Sequence, residues 1–392
     1  MKRAGAPRRA FILFGAVAVA LVTLEAGALV TTLLAGRLLG DPIRTRSAIF
    51  EGQTEFIAWL LADDANRDQR DSILGWRYRP GHLSDWDRLN SIGLRGDREY
   101  QPEPSDSVRR VAAFGDSFVY SSEVDWDEAW PHQIEQRHDR YEVLNYGVGG
   151  YGTDQALLRY RLQGADFAPS VVIIGFTPVN LGRNVNVYRR FVSPEEWPWT
   201  KPRFVVRDDS LELLPNPMPT DSHWRRVMDE PERVRDLGQH DWWYEPLIYE
   251  SAVYDYSATY RLLATAWIRL RNRYFRPDRL MADGVFNPNS PAFDLQVRLL
   301  RTFAQEVRDR GAQPVVLIMP GRSMVTNRRD GRRAIYAPLV DRLSNDVVWD
   351  GAEAFANSDD VDGWFAVDGH YSSLGNTLMA DWVALKLDEL FR

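Results

Sequence analysis

Five short apolar runs, separated by segments of helical spacing, constrain this chain more than any other feature. They cover residues 108–114, 142–146, 170–176, 314–319 and 346–349. Their Val/Ile content and nearly continuous apolarity suit strands buried on both faces, as in a parallel sheet. Between them, residues 155–162 and 293–310 place apolar side chains one helical turn apart, for example Leu158 with Leu162 and Leu299 with Phe303. Strand–helix alternation of this kind predicts an α/β fold of three layers, α/β/α, around a central parallel sheet of about five strands.

The first forty residues stand outside that pattern. Lys2, Arg3, Arg8 and Arg9 precede an apolar run from residue 11 to about 35, interrupted by Glu25. About 25 residues at 1.5 Å each exceed the ~30 Å hydrocarbon thickness of a bilayer. Residues 1–40 are therefore expected to form a cytoplasmic basic flank and a transmembrane anchor. That places the remainder beyond a bacterial inner membrane, because basic flanks stay inside. A cleaved signal peptide, with residues 11–24 as its apolar core and Ala26-Gly27-Ala28 as its cleavage site, is the competing reading. Both readings export the main domain.

Residues 41–107, polar with scattered tryptophans, are expected to be a lead-in packed on a main domain of residues 108–392. An insertion at about 181–290 interrupts that domain. It carries a hairpin (203–207 with 211–214), the cluster Trp242-Trp243-Tyr244, and a long helix over 249–275. The basic side of that helix (Arg261, Arg269, Arg271, Arg273) reads as a solvated face, or as one turned to anionic lipid or an acidic glycan. A net charge of -7 gives no electrostatic case for nucleic-acid binding. With no cysteine in the chain, disulfides, thiolate metal sites and cysteine nucleophiles are excluded. Nor is there a paired-histidine motif, so no metal and no cofactor are expected.

Candidate chemistry begins where the first strand ends, at Phe114-Gly115-Asp116-Ser117. A serine just past a buried strand is presented at the carboxyl edge of the sheet. Its base would be a histidine, and His370 stands apart from the other histidines. It lies in Asp368-Gly369-His370, before an amphipathic terminal helix over 378–391, with Asp368 near enough to orient the imidazole. The stretch 143–155 also holds Gly147-x-Gly149-x-x-Gly152, the spelling of a dinucleotide-binding loop. However, it follows the second strand rather than the first. Asp166 comes too early for the ribose-binding acid, and Asp154 would place a negative charge where a pyrophosphate should sit.

Taken together, Phe114-Gly115-Asp116-Ser117, Asn145-x-x-x-x-Gly150, Asn180 and Asp368-x-His370 resemble, in order and spacing, the four blocks of the SGNH (GDSL) hydrolase superfamily. Asn90-Ser-Ile-Gly-Leu-Arg-Gly96 also looks like the lead-in of its membrane-tethered bacterial members. The resemblance covers about residues 108–392. It implies a flavodoxin-like fold and a serine esterase, with Ser117 as nucleophile, His370 as base and Asp368 as orienting acid. The oxyanion hole it implies comprises the backbone amides of Ser117 and Gly150 and the side chain of Asn180. Two positions depart from the usual pattern. The acid stands two residues before the histidine instead of three, which leaves Asp362 as an alternative. Block three reads Thr177-Pro-Val-Asn-Leu-Gly-Arg183, which leaves Asn184 as a competitor of Asn180.

The substrate expected is an ester-bearing small molecule or polysaccharide, most readily an O-acetyl or other short acyl group of the cell envelope. Hydrolysis or transfer to a sugar hydroxyl would both use this machinery. Trp197, Trp199, Trp242, Trp243 and Tyr244 are candidates for stacking on sugars, although such tryptophans more often serve packing. Two alternatives are a lipase, lysophospholipase or thioesterase drawing acyl chains from the bilayer, and a catalytically silent envelope scaffold or glycan-binding protein.

Overall fold

The computed structural model describes residues 6–39, 43–62, 67–164, 166–356 and 361–392. Its contacts divide the chain into two compact units. One comprises Met1–Ala62, Arg189–Pro198 and Asp221–Arg276; the other comprises Asp63–Tyr188, Trp199–Thr220 and Pro277–Arg392.

The second unit is built on strands β1 (Arg109–Gly115), β2 (Tyr141–Gly147), β3 (Val171–Phe176), β4 (Gln313–Ile318) and β5 (Val348–Asp350). All neighbours pair in parallel, in the spatial order β5-β4-β3-β1-β2. That is the flavodoxin-like order, and each expected run is a strand with its ends moved by no more than two residues. Among the described residues, four helices of eight or more residues cover the sheet: α1 (Trp130–Arg137), α2 (Thr153–Gln163), α3 (Pro291–Asp309) and α4 (Ser373–Leu390).

Side chains alternate along each strand, so β1 to β4 each feed two cores. Val111, Ala113, Val143, Ile173 and Leu317 form one core with Trp130 and Ile134 of α1 and Met379, Val383 and Leu387 of α4. On the other side, Phe114 stacks on Tyr146 with centroids 4.3 Å apart and meets Tyr160 of α2 edge-on at 5.6 Å. Phe303 of α3 closes that cluster 5.5 Å from Tyr160. The three layers expected from the alternation are present.

Residues 67–107 belong to this unit and begin with a two-stranded hairpin, Asp68–Asp71 with Gly75–Tyr78. The hairpin Arg203–Arg207 with Ser210–Leu214 belongs to it too, turning through Asp208 and Asp209 at φ 45 and 65. Consecutive left-handed residues give the turn a twist that matches its strands.

The first unit contains the N-terminal helix Ala6–Leu39, the helix Arg46–Ala62 and most of the later insertion. Within it, the long helix expected over 249–275 is broken into Pro246–Tyr249, Val253–Tyr256 and Ala258–Leu270, ending in a π turn, Arg271–Phe275. Ser257 causes the last break. It is extended at φ -120 and ψ 114, and its hydroxyl accepts from the Tyr260 N–H at 3.1 Å, as an N-cap does. The side chain of Arg261 donates to the carbonyls of Tyr254 and Asp255, both at 3.0 Å. Periodicity alone did not reveal this break, since serine is tolerated inside helices as well as at their starts.

Candidate active site

The chain leaves β1 toward one edge of the sheet and β3 toward the other, so a crevice opens beyond the carboxyl ends of these neighbouring strands. Ser117 begins the single helical turn Ser117–Tyr120 at that place. Asp116 caps the turn by accepting from the Phe118 N–H at 3.0 Å. Gly115 is required by close packing, because a Cβ there would lie 2.5 Å from Cγ2 of Val119.

The far end of the turn is held from two directions. Asn145 in β2 donates to the Val119 carbonyl at 3.0 Å. Arg95 donates to the carbonyls of Tyr120 and Ser121 and, at 2.6 Å, to that of Val124. Its fully buried guanidinium is paired with Asp87 at 3.3 Å. Hence the Asn90–Gly96 stretch fastens the serine turn, a role that its sequence alone did not reveal.

His370 precedes α4. Its Nε2 lies 2.7 Å from Ser117 Oγ, and its Nδ1 is hydrogen-bonded to Asp368. Asp368 also accepts from the His370 backbone N–H at 3.1 Å, and Gly369 between them adopts φ 97, a conformation that favours glycine. With its proton on Nδ1, the imidazole donates to Asp368 and can take the serine proton on Nε2. Phe118 packs on the imidazole at 4.9 Å. Asp362 lies elsewhere: its exposed carboxylate pairs with Arg322 at 2.8 Å.

Burial pushes the Asp368 carboxyl up, but hydrogen bonds from the His370 backbone and ring, with its charge and the Glu123 carboxyl, hold it below the usual range. Glu123 is shifted oppositely, raised by burial and by its contact with Asp368. Sequence reasoning missed Glu123, which sits in an unpatterned loop. Ligand atoms of Glu123, Asp368 and His370 lie within 4.8 Å of one another. Both imidazole nitrogens are already engaged, so the group suits proton transfer better than metal binding.

The glycine loop after β2 is not arranged as a phosphate cradle. The N–H of Gly147 donates to Asn145 Oδ1 at 2.9 Å, that of Gly149 to the Tyr78 hydroxyl at 2.8 Å, and that of Gly152 to Gln155 Oε1 at 3.2 Å. Asp154, expected to repel a pyrophosphate, is instead paired with Lys201 in full burial. The engaged amides are thus the stronger argument. Gly150 adopts φ 78. Trp76 and Tyr78 of the lead-in brace this loop, with Trp76 Nε1 donating to the Gly149 carbonyl at 2.9 Å. Their alternation in a short strand was the available signal for this brace.

Asn180 begins the turn after β3. Its side-chain oxygen accepts from the Thr177 N–H at 2.6 Å and hydroxyl at 2.8 Å, which aims its NH₂ group away from them. That group donates to the Tyr151 carbonyl at 2.9 Å and lies 3.4 Å from Asp116 Oδ2. Asn180 is therefore tied to the residue before Ser117 and to the residue after Gly150. Arg183 reinforces both ties, at 2.9 Å to Asp116 and 3.1 Å to the Tyr151 carbonyl. Asn184 points instead to α3, donating to Gln296 at 2.5 Å and accepting from the Asp154 N–H at 3.2 Å.

The tryptophans proposed to meet sugars are largely used in packing. Trp199 is buried and stacks on Trp76, Trp197 packs against Phe56 and Trp59, and Trp242 against Trp243 and Arg276. Tyr244 stacks on Tyr249 at 5.4 Å.

No family model matches the chain, and no curated protein does. Among solved structures, it is similar to a member of the lipolytic protein G-D-S-L family from Veillonella parvula. Identity is 10%, covering 71% of this chain and 97% of that one, with a TM-score of 0.35. A lipase/acylhydrolase from Enterococcus faecalis is similar at 14% identity, 71% and 95% coverage and a TM-score of 0.34. A GDSL-like lipase from Bacteroides thetaiotaomicron is similar at 10% identity, 73% and 91% coverage and a TM-score of 0.34.

Proposed function

We propose that this protein is an SGNH-type serine ester hydrolase, tethered to the bacterial inner membrane and acting outside the cytoplasm. The observation that carries the reading is the aligned series Asp368–His370–Ser117, with Nε2 of His370 2.7 Å from Ser117 Oγ at the carboxyl edge of a parallel sheet. In the proposed reaction, His370 takes the serine proton as Oγ attacks the ester carbonyl. The backbone amides of Ser117 and Gly150 stabilise the oxyanion, joined by the Asn180 side-chain amide as it exchanges the Tyr151 carbonyl for the oxyanion, while Asp368 stabilises the imidazolium. His370 then protonates the departing alcohol. Water, activated by the same base, releases the acid; a sugar hydroxyl in its place would make the reaction acyl transfer.

Among the described residues, one helix segment, Phe11–Leu34, is long and apolar enough to cross a membrane, and its basic flank supports the tether and its direction. The substrate class is proposed from that location: an O-acetyl or other short acyl ester on an envelope polysaccharide. Fluorophosphonate should label the wild-type full chain and not Ser117→Ala. A Ser117-independent adduct, or none, would refute the assignment. On p-nitrophenyl esters, acetate should be turned over faster than palmitate; the reverse preference would replace the short-acyl substrate by a lipid ester.

A further inference from the structure

The N-terminal helix is unevenly covered. Residues 11–24 are exposed all round, whereas Glu25 is half-buried and Ala28 and Thr32 are buried. These three recur at intervals of three and four residues, which is one face of a helix. The helix Ala258–Leu270 packs on the N-terminal helix, and it buries its own small residues, Ala258 and Ala264. Small side chains on both partners allow the close helix approach favoured in lipid.

Glu25 makes the specific link. Its carboxylate accepts from the Ser257 hydroxyl at 2.9 Å, from the N–H of Ala258, and from the N–H of Thr259 at 3.3 Å. At 1.5 Å per residue, Glu25 lies about 21 Å along the axis from Phe11, inside a ~30 Å hydrocarbon layer that begins at Phe11. A carboxylate there is costly unless it is satisfied, and the positive end of a second helix satisfies it.

The second helix leaves an apolar stripe uncovered. Leu263, Trp267, Leu270 and Tyr274 are 63%, 48%, 44% and 56% exposed, at successive spacings of four, three and four residues. Phe275 stacks on Trp267 beside them. The four arginines expected on one basic face are divided, with Arg269 and Arg273 exposed as that reading requires and the other two not. Arg261 is buried on local carbonyls and Arg271 is paired with Glu245, while Arg269 and Arg273 flank the stripe. Aromatic residues with flanking arginines are the composition of a membrane interface.

We infer that Ala258–Phe275 is a second membrane contact, a helix docked on the spanning segment through Glu25 and laying its Leu263–Trp267–Leu270–Tyr274 stripe into the outer leaflet. The occupant of this stripe is lipid, because the helix that carries it packs directly on the apolar span, whose residues 11–24 are themselves uncovered. This inference rests on the tether proposed above.

The native chain has no cysteine, so single cysteines can be read without background. The full chain would be reconstituted in phosphatidylethanolamine/phosphatidylglycerol vesicles with an NBD label at Val19→Cys, Leu263→Cys or Leu270→Cys. Doxyl lipids should quench all three, the labels at 263 and 270 most strongly with the doxyl group near the headgroup, and aqueous iodide should quench none by more than about a tenth. In Glu25→Ala, lipid quenching at 263 and 270 should fall at least threefold while that at 19 is unchanged. If 19 is lipid-quenched but 263 and 270 respond to iodide, the second contact is wrong and the tether stands. Labels at 263 and 270 shielded from both quenchers would mean a protein partner instead, which also overturns the inference. No lipid quenching at 19 would remove the tether itself. Unchanged quenching in Glu25→Ala would refute docking through the carboxylate.

Discussion

Replacement of Gly147 by alanine tests whether the serine turn and the glycine loop form one rigid object. A Cβ at 147 would lie 2.3 Å from the Tyr120 nitrogen, 2.8 Å from its Cα and 2.8 Å from the Val119 carbonyl carbon. All three are backbone atoms of the turn that begins with Ser117, so no side-chain rotation relieves the contact. An ordinary approach is about 3.4 Å or more, so β2 and the turn must separate by roughly 1 Å. Overpacking of this kind costs about 1–3 kcal/mol, and a 1 Å misplacement of reacting groups costs on the order of 10²-fold in rate. Expected for Gly147→Ala is therefore a kcat on p-nitrophenyl acetate about 100-fold below wild type. KM should change little, because the lost interaction is the alignment of Ser117 with His370. A melting temperature lower by several degrees should accompany it. Gly321→Ala is the control, since its Cβ meets only the flexible Met324 terminus at 3.4 Å. A Gly147→Ala enzyme within threefold of wild-type kcat would show that the turn tolerates displacement, refuting the tight coupling argued from these contacts.

Three further outcomes are expected. Asp368→Asn should lower kcat by about 10³–10⁴-fold, because an amide does not hold the imidazole tautomer or stabilise its cation, while Asp362→Asn stays within about twofold; equal losses would reopen the choice of acid. Asn180→Ala should reduce kcat by about 10²–10³-fold, whereas Asn184→Ala should chiefly lower the melting temperature by releasing Gln296 and the Asp154 N–H. The opposite pattern in paired kinetic and melting measurements would exchange their roles. Burial raises the Glu135 carboxyl to about 7 despite hydrogen bonds from the Val143 N–H and Tyr100 and the nearby Arg98. Its favoured state in the fold is thus protonated; the associated stability is complete below the unfolded carboxyl pKa and is lost as pH rises through about 7. Glu135→Gln should therefore gain melting temperature relative to wild type between pH 5 and 8.5, and a difference flat across that range would contradict the raised pKa.

Much of the sheet unit is legible in the chain because its physics is local. A strand buried on both faces needs an unbroken apolar run, and each of the five runs did mark a strand. Ser117, Asn180 and His370 were named from short blocks tied to strand or helix ends, where the backbone geometry follows from the fold. The broken helix near Ser257 was not legible: the residues on both sides keep a helical pattern, and a cap differs from an interior serine only in three dimensions. Nor was Glu123, whose meaning depends on Asp368, 245 positions away in the chain. The tryptophans could not be divided between packing and sugar contact for a related reason. Composition shows that large aromatic surfaces exist but not whether protein already covers them, and Trp199 is covered by Trp76.

The lead-in changes what counts as the catalytic unit. The four blocks that carry the resemblance begin at the first strand, yet residues before it control two of the proposed catalytic elements. Arg95 gathers the carbonyls that end the serine turn, and Tyr120 of that turn bonds Asp87, the partner of Arg95. Trp76 and Tyr78 hold the carbonyl and N–H of Gly149, immediately before the proposed oxyanion donor Gly150. A left-handed residue such as Gly150 is conformationally free, so its N–H has a fixed direction only if its neighbours are fixed. Preorganised donors stabilise developing charge because they need no rearrangement during the reaction. On that argument the glycine-rich loop gains its precision from a tryptophan and a tyrosine about seventy residues upstream, and the spelling of the loop describes only the backbone they hold.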